Sequence, residues 1–113
     1  MIHIADFHGE DFKVAIESGE WKIGLLRASD RFSNFRVLER HTATDEAFIL
    51  LKGRAVLYLR DDAGEIHTYR MKPCTVYTVE KNVWHHIKVS KHATVLVVEN
   101  RNTSKENTER IDR

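Results

Sequence analysis

Four residues carry groups that can do chemistry and stand at strand-like spacing: Glu39 and His41 two apart, Glu46 five further on, and His85 in a later segment. Alternation along an extended chain puts Glu39 and His41 on one face, and the same rule turns Glu46 and His85 towards an otherwise apolar interior. Burying carboxylates and imidazoles without partners is costly. Two physical solutions exist. One is a divalent ion, since two neutral imidazoles and one or two carboxylates replace its water shell; such a donor set suits Fe(II), and also Zn, Mn or Ni. The other is a hydrogen-bonded polar cluster in which a His and a carboxylate serve as acid and base without metal.

Positioning these groups is the task of short strands. Segments rich in Val, Ile, Leu, Phe, Tyr and Thr recur along the chain, with only 5 glycines and 1 proline. This composition predicts strands over 13–16, 21–27, 35–41, 46–51, 54–60, 65–70, 76–79, 84–89 and 94–99. Asp61-Asp62-Ala63-Gly64 has the residues of a hairpin turn, so the pairing is expected to be antiparallel. About nine short strands without long helices between them make an all-β sandwich or barrel. In the strand at 84–89, His85 is expected to face inward and His86 outward. The strand at 46–51 is apolar on both faces, so Ala47, Ile49 and Leu51 need a cover, which a second copy of the chain can supply as a homodimer. The polar segment 100–113 is expected to fray, with Thr103 and Glu106 capping at most a short helix.

The chain has 113 residues, which accommodates a single domain (1–113), with a barrel core over about 21–99 and a polar C-terminal tail. Lys and Arg total 18 against 17 Asp and Glu, and neither sign gathers in a block, so nucleic acid is not an expected partner. No apolar run approaches the roughly 20 residues that span a bilayer, so no membrane association is expected. The beginning of the chain lacks the pattern of a secretory signal, and the single Cys74 agrees with a reducing compartment. A cytoplasmic protein is therefore expected.

Ser33, Glu39, His41, Glu46 and Gly53 fall at the intervals of the motif G-x5-H-x-H-x(3 or 4)-E-x6-G, and Cys74, Glu80, Asn82, His85 and Val89 at those of G-x5-P-x-G-x2-H-x3-N. Glu80-Lys81-Asn82-Val83-Trp84-His85 is similar to the Pro-x-Gly-Val-Trp-His variant of the second motif. Over roughly 21–99 the chain thus resembles the small single-domain cupins of the RmlC-like jelly-roll superfamily. The resemblance implies a double-stranded β-helix with a site inside its mouth. It places His41, Glu46 and His85 where the family has metal ligands. Glu39 stands in place of the family's first histidine, either as a fourth ligand or as a general base.

The remaining candidates are weaker. Asp45 should point away and serve a turn. Arg27, in phase with Trp21, Ile23 and Leu25, either anchors an anionic substrate or snorkels at the strand end. Trp84 is expected outward, and His3, His8, His67 and His92 at the surface. Cys74 is a structural turn residue by default. Three functions follow: a metal-dependent enzyme on a small polar metabolite such as a sugar or organic acid, a non-catalytic sensor or storage protein for a small ligand, and a metal-free isomerase or epimerase.

Overall fold

The structure, a computed structural model, describes residues 1–113. In chain order the elements are β1 (Phe12–Ser18), β2 (Trp21–Arg27), a one-turn helix α1 (Asp30–Ser33), β3 (Val37–His41), β4 (Glu46–Lys52), β5 (Ala55–Arg60), β6 (Ile66–Arg70), β7 (Val76–Val79), β8 (Trp84–Val89), β9 (Thr94–Asn100) and β10 (Thr108–Asp112). They form two five-stranded sheets, ordered β1-β2-β9-β4-β7 and β10-β3-β8-β5-β6, and every pairing is antiparallel. This is the all-β sandwich expected from the strand pattern, in the jelly-roll form that the resemblance implies. No helix is long and apolar enough to cross a membrane.

Residues two apart on each strand meet between the sheets: Phe48 and Leu50 from β4, Val95 and Val97 from β9, Leu57 from β5 and Ile87 from β8 belong to one buried cluster. Each fully buried aliphatic side chain contributes about 1.5–3 kcal/mol, which is what clamps the sheets together. The turns obey local chemistry. Asp61 Oδ1 accepts from the amides of Ala63 and Glu65 at 3.0 and 2.9 Å, closing the β5–β6 hairpin. Gly53 has φ +78°, and a Cβ there would stand 2.7 Å from Ala93 Cα, so two constraints select glycine. At two of the three positions where the family motif has glycine but this chain does not, Cys74 (φ +56°) and Asn82 (φ +68°) adopt the left-handed conformation.

Two expectations are corrected. The C-terminal segment does not fray: after a 3₁₀ turn at Lys105–Asn107, β10 pairs with β3 along its whole length. The cap is made by Ser104 and Asn107, not by Thr103 and Glu106. His86 does not face solvent, although it lies opposite His85. Its ring stacks on Phe35 at 5.2 Å between centroids, Phe35 stacks on Tyr58 at 4.3 Å, and the Arg113 guanidinium covers Phe35 at 4.1 Å. Periodicity separates the two faces of a strand but does not reveal that residues from the chain's end cover the outer one.

Burial pushes the His86 imidazole down to about 4, and its Nε2 has no partner. Because the folded pKa lies below the ordinary 6.5, the stabilisation is present above pH 6.5 and is lost as pH falls towards 4. Relative to His86→Phe, the wild type should therefore lose on the order of 2–3 kcal/mol between pH 7 and pH 4. Denaturant unfolding of both metal-free proteins at the two pH values measures this; a pH-independent difference would contradict a neutral, buried ring.

Candidate functional site

His41 ends β3 and Glu46 begins β4, so the tight connection between them carries the chain from one sheet to the other and leaves both side chains facing the interior. His85 reaches the same place from β8, where it pairs with Glu39. His41, Glu46 and His85 are all buried, and one donor atom of each lies within 4.8 Å of the others. His41 Nε2 stands 3.0 Å and His85 Nε2 3.2 Å from the same oxygen, Glu46 Oε1. Together with Glu39 they line a cavity of about 1040 Å³.

The other nitrogen of each ring decides what those contacts are. His85 Nδ1 lies 2.9 Å from the Val83 carbonyl, which only accepts, so Nδ1 carries the proton. His41 Nδ1 lies 2.9 Å from Thr108 Oγ1, whose hydroxyl donates to the Ser104 carbonyl at 2.7 Å, so here too Nδ1–H is the donor. Both Nε2 atoms therefore need a second proton or a cation between themselves and the carboxylate. Without an ion the proton is taken. Burial pushes both imidazoles down, but the hydrogen bond and charge of Glu46 outweigh it and raise them above the ordinary value. Burial works against the Glu46 carboxylate as well, yet hydrogen bonds from His41, His85 and Glu99 hold it well below the usual range.

The geometry also fits a metal. An ion about 2.1 Å from each donor separates neighbouring donors by about 3.0 Å at right angles. The two Nε2–Oε1 distances are of that size.

Glu39 stands at the margin of this group. Arg31 Nη2 donates to its two oxygens at 3.2 and 3.3 Å, Arg110 Nε donates at 3.0 Å, and Glu39 Oε1 is 3.9 Å from His41 Nε2. Four site residues escaped the sequence reading: Glu99, Lys22, Arg31 and Arg110. Glu99 was within reach, since it continues the inward phase of Val95 and Val97. Lys22 was not, because Trp21, Ile23 and Leu25 make the other phase the more apolar one, whereas the buried phase is Lys22, Gly24 and Leu26. Arg27 accordingly serves no anion inside the mouth. It donates to the Gly9 carbonyl and to Thr94 Oγ1, at 3.1 and 3.0 Å.

Asp45 accepts from the Lys81 amide at 2.9 Å, a turn role. Trp84 lies under the Arg40 guanidinium at 4.5 Å, and Cys74 is exposed. His3, His8, His67 and His92 are at the surface, where His67 bonds Asp61 at 2.8 Å.

The family model described as ureidoglycolate lyase matches residues 4–112. Among solved structures, the chain is similar to a cupin-2 domain-containing protein from Shewanella frigidimarina, with 21% identity, a TM-score of 0.67, and 84% of this chain and 85% of that one covered. It is similar to a cupin superfamily protein from Desulfitobacterium hafniense, with 17% identity, a TM-score of 0.63, and 83% of each chain covered. A variant of Bacillus subtilis oxalate decarboxylase matches at 16% identity and a TM-score of 0.66 over 83% of this chain, which spans only 25% of that enzyme. No curated protein sequence matches the chain. At these identities the structural neighbours establish the cupin fold.

Proposed function

Because the chain belongs to the ureidoglycolate lyase family, we propose that it is a metal-dependent enzyme of small organic acids, with His41, Glu46 and His85 holding a divalent transition ion and Glu39 moving a proton. The observation that carries this reading is the pair of locked tautomers: Val83 and Thr108 each occupy an Nδ1–H, which leaves both Nε2 lone pairs aimed at one carboxylate oxygen. A bound ion would supply Lewis acidity to a substrate oxygen.

The chain's own residues account for the rest. Ureidoglycolate has one carbon bearing a hydroxyl, a carboxylate and a ureido nitrogen. Glu39 takes the hydroxyl proton, the carbon–nitrogen bond breaks as the new carbonyl forms, and Glu39 returns that proton to the departing nitrogen, releasing glyoxylate and urea. Arg31 and Arg110 orient Glu39 through its two oxygens. Incubating the protein with ureidoglycolate and with other small 2-hydroxy acids, with and without Mn(II), Fe(II), Zn(II) or Ni(II), tests the reading by NMR detection of products. A stabilising ligand recovered unchanged under every condition would favour a binding protein.

A second copy of the chain is the partner we propose for the outer face of the first sheet. Ile23, Leu25, Leu96, Val98, Ala47 and Ile49 form a continuous half-buried band on β2, β9 and β4, and Trp21, Leu51 and Val76 beside it are 44, 52 and 61% exposed. Light scattering should report twice the 13.2 kDa chain mass, and Ile49→Glu should return the monomer; a wild-type monomer at all concentrations would refute the proposal.

A further inference from the structure

Lys22, Glu99 and Glu46 form one row across three neighbouring strands: Lys22 pairs with Glu99 between β2 and β9, and Glu99 with Glu46 between β9 and β4. All three face the interior, with 9, 8 and 8% of their surfaces exposed. Opposed side chains on one face of a sheet lie about 4.5–5.5 Å apart at Cβ, so each member can hold the next. Lys22 Nζ donates to the Thr103 carbonyl at 2.8 Å and stands 3.7 Å from Glu99 Oε1, and Glu99 stands directly opposite Glu46 on the same inner face of the sheet. Neither Lys22 nor Glu99 has a part in the reaction above, yet burying an ammonium and a carboxyl group is costly unless they are engaged.

Both imidazoles converge on a single Glu46 oxygen. A glutamate side chain has three rotatable bonds, and a neighbour packed beside its carboxyl group narrows the positions it can take. We propose that Lys22 and Glu99 are positioning residues that lock the Glu46 carboxylate towards His41 and His85, and so set the affinity of the centre for a divalent ion. The inference rests on the metal-binding reading of those three residues. It predicts that the shape of the hydrogen bonding, not the charge of Glu99, is what matters. Glutamine keeps that shape, because its amide N–H can donate to the Glu46 carboxylate opposite while its oxygen still faces the Lys22 ammonium.

Titration of the full chain with Co(II), followed by visible absorption and by competition with a chelator, separates the outcomes. Glu99→Gln should bind within about threefold of wild type, and Glu99→Leu should lose about 10- to 100-fold in affinity with an altered spectrum. Where leucine prevents folding, Glu99→Val, matching Val95 and Val97 in the same strand, takes its place. If the apolar variants melt lower without Co(II) but bind it as the wild type does, with the same spectrum, the pair is merely structural and the inference is overturned. Wild-type protein that takes up no Co(II) would instead refute the metal-binding reading itself, and this inference with it.

Discussion

Saturating Mn(II), Fe(II), Zn(II) or Ni(II), whichever ion the centre prefers, should raise the melting temperature of the protein by about 10–15 °C, and His85→Ala or Glu46→Gln should abolish the rise. A ligand at 100 times its dissociation constant stabilises by about 2.7 kcal/mol, and in a domain near 100 residues each kcal/mol moves the midpoint by at least about 4 °C. The effect has a definite pH dependence. In the metal-free protein the imidazoles have raised pKa values, so their contribution is complete below the ordinary 6.5 and is lost as pH rises through the folded values. Glu46 has a lowered value, so its contribution is complete above the ordinary 4.5 and is lost as pH falls through the folded one. The ion-free cluster therefore stabilises most between about 4.5 and 6.5. An ion must displace the protons on Nε2, so the shift on adding metal should grow as pH rises above that window. Scanning calorimetry at pH 5.5, 7 and 8 measures both trends; equal curves with and without every ion would leave no metal centre to defend.

Replacing Glu39 by glutamine should lower turnover by about 10²- to 10⁴-fold while leaving metal content unchanged. The separation is expected because Glu39 lies outside the converging set, 3.9 Å from His41 Nε2, and its oxygens are engaged by Arg31 and Arg110. The amide preserves size and an acceptor for the arginines but takes no proton. Metal analysis of the same preparation distinguishes the roles, since a loss of bound ion in step with activity would make Glu39 a fourth ligand. Unchanged turnover with normal metal content would remove Glu39 from the chemistry.

The strands and the inward phase of Glu39, His41, Glu46 and His85 were legible in the amino-acid order because alternation is a local property. Trp21–Arg27, Val76–Val79 and Trp84–His85 through Val89 can be bounded from their own residues, and the interval from His41 to Glu46 is that of two strands joined by a tight turn. Everything that depends on which segment lies beside which was not. β10 reads as a polar tail until β3 supplies its hydrogen-bonding edge, and with β10 come Thr108, which sets the His41 tautomer, and Arg110, which holds Glu39. Lys22 remains invisible in a strand whose opposite phase, Trp21, Ile23 and Leu25, is the more apolar one. The row from Lys22 through Glu99 to Glu46 joins residues 22, 99 and 46, a contact that sequence spacing does not encode. Alternation assigns a face to each residue of a strand, and only the closure of the two sheets decides which face is inside and which side chains from distant strands meet there.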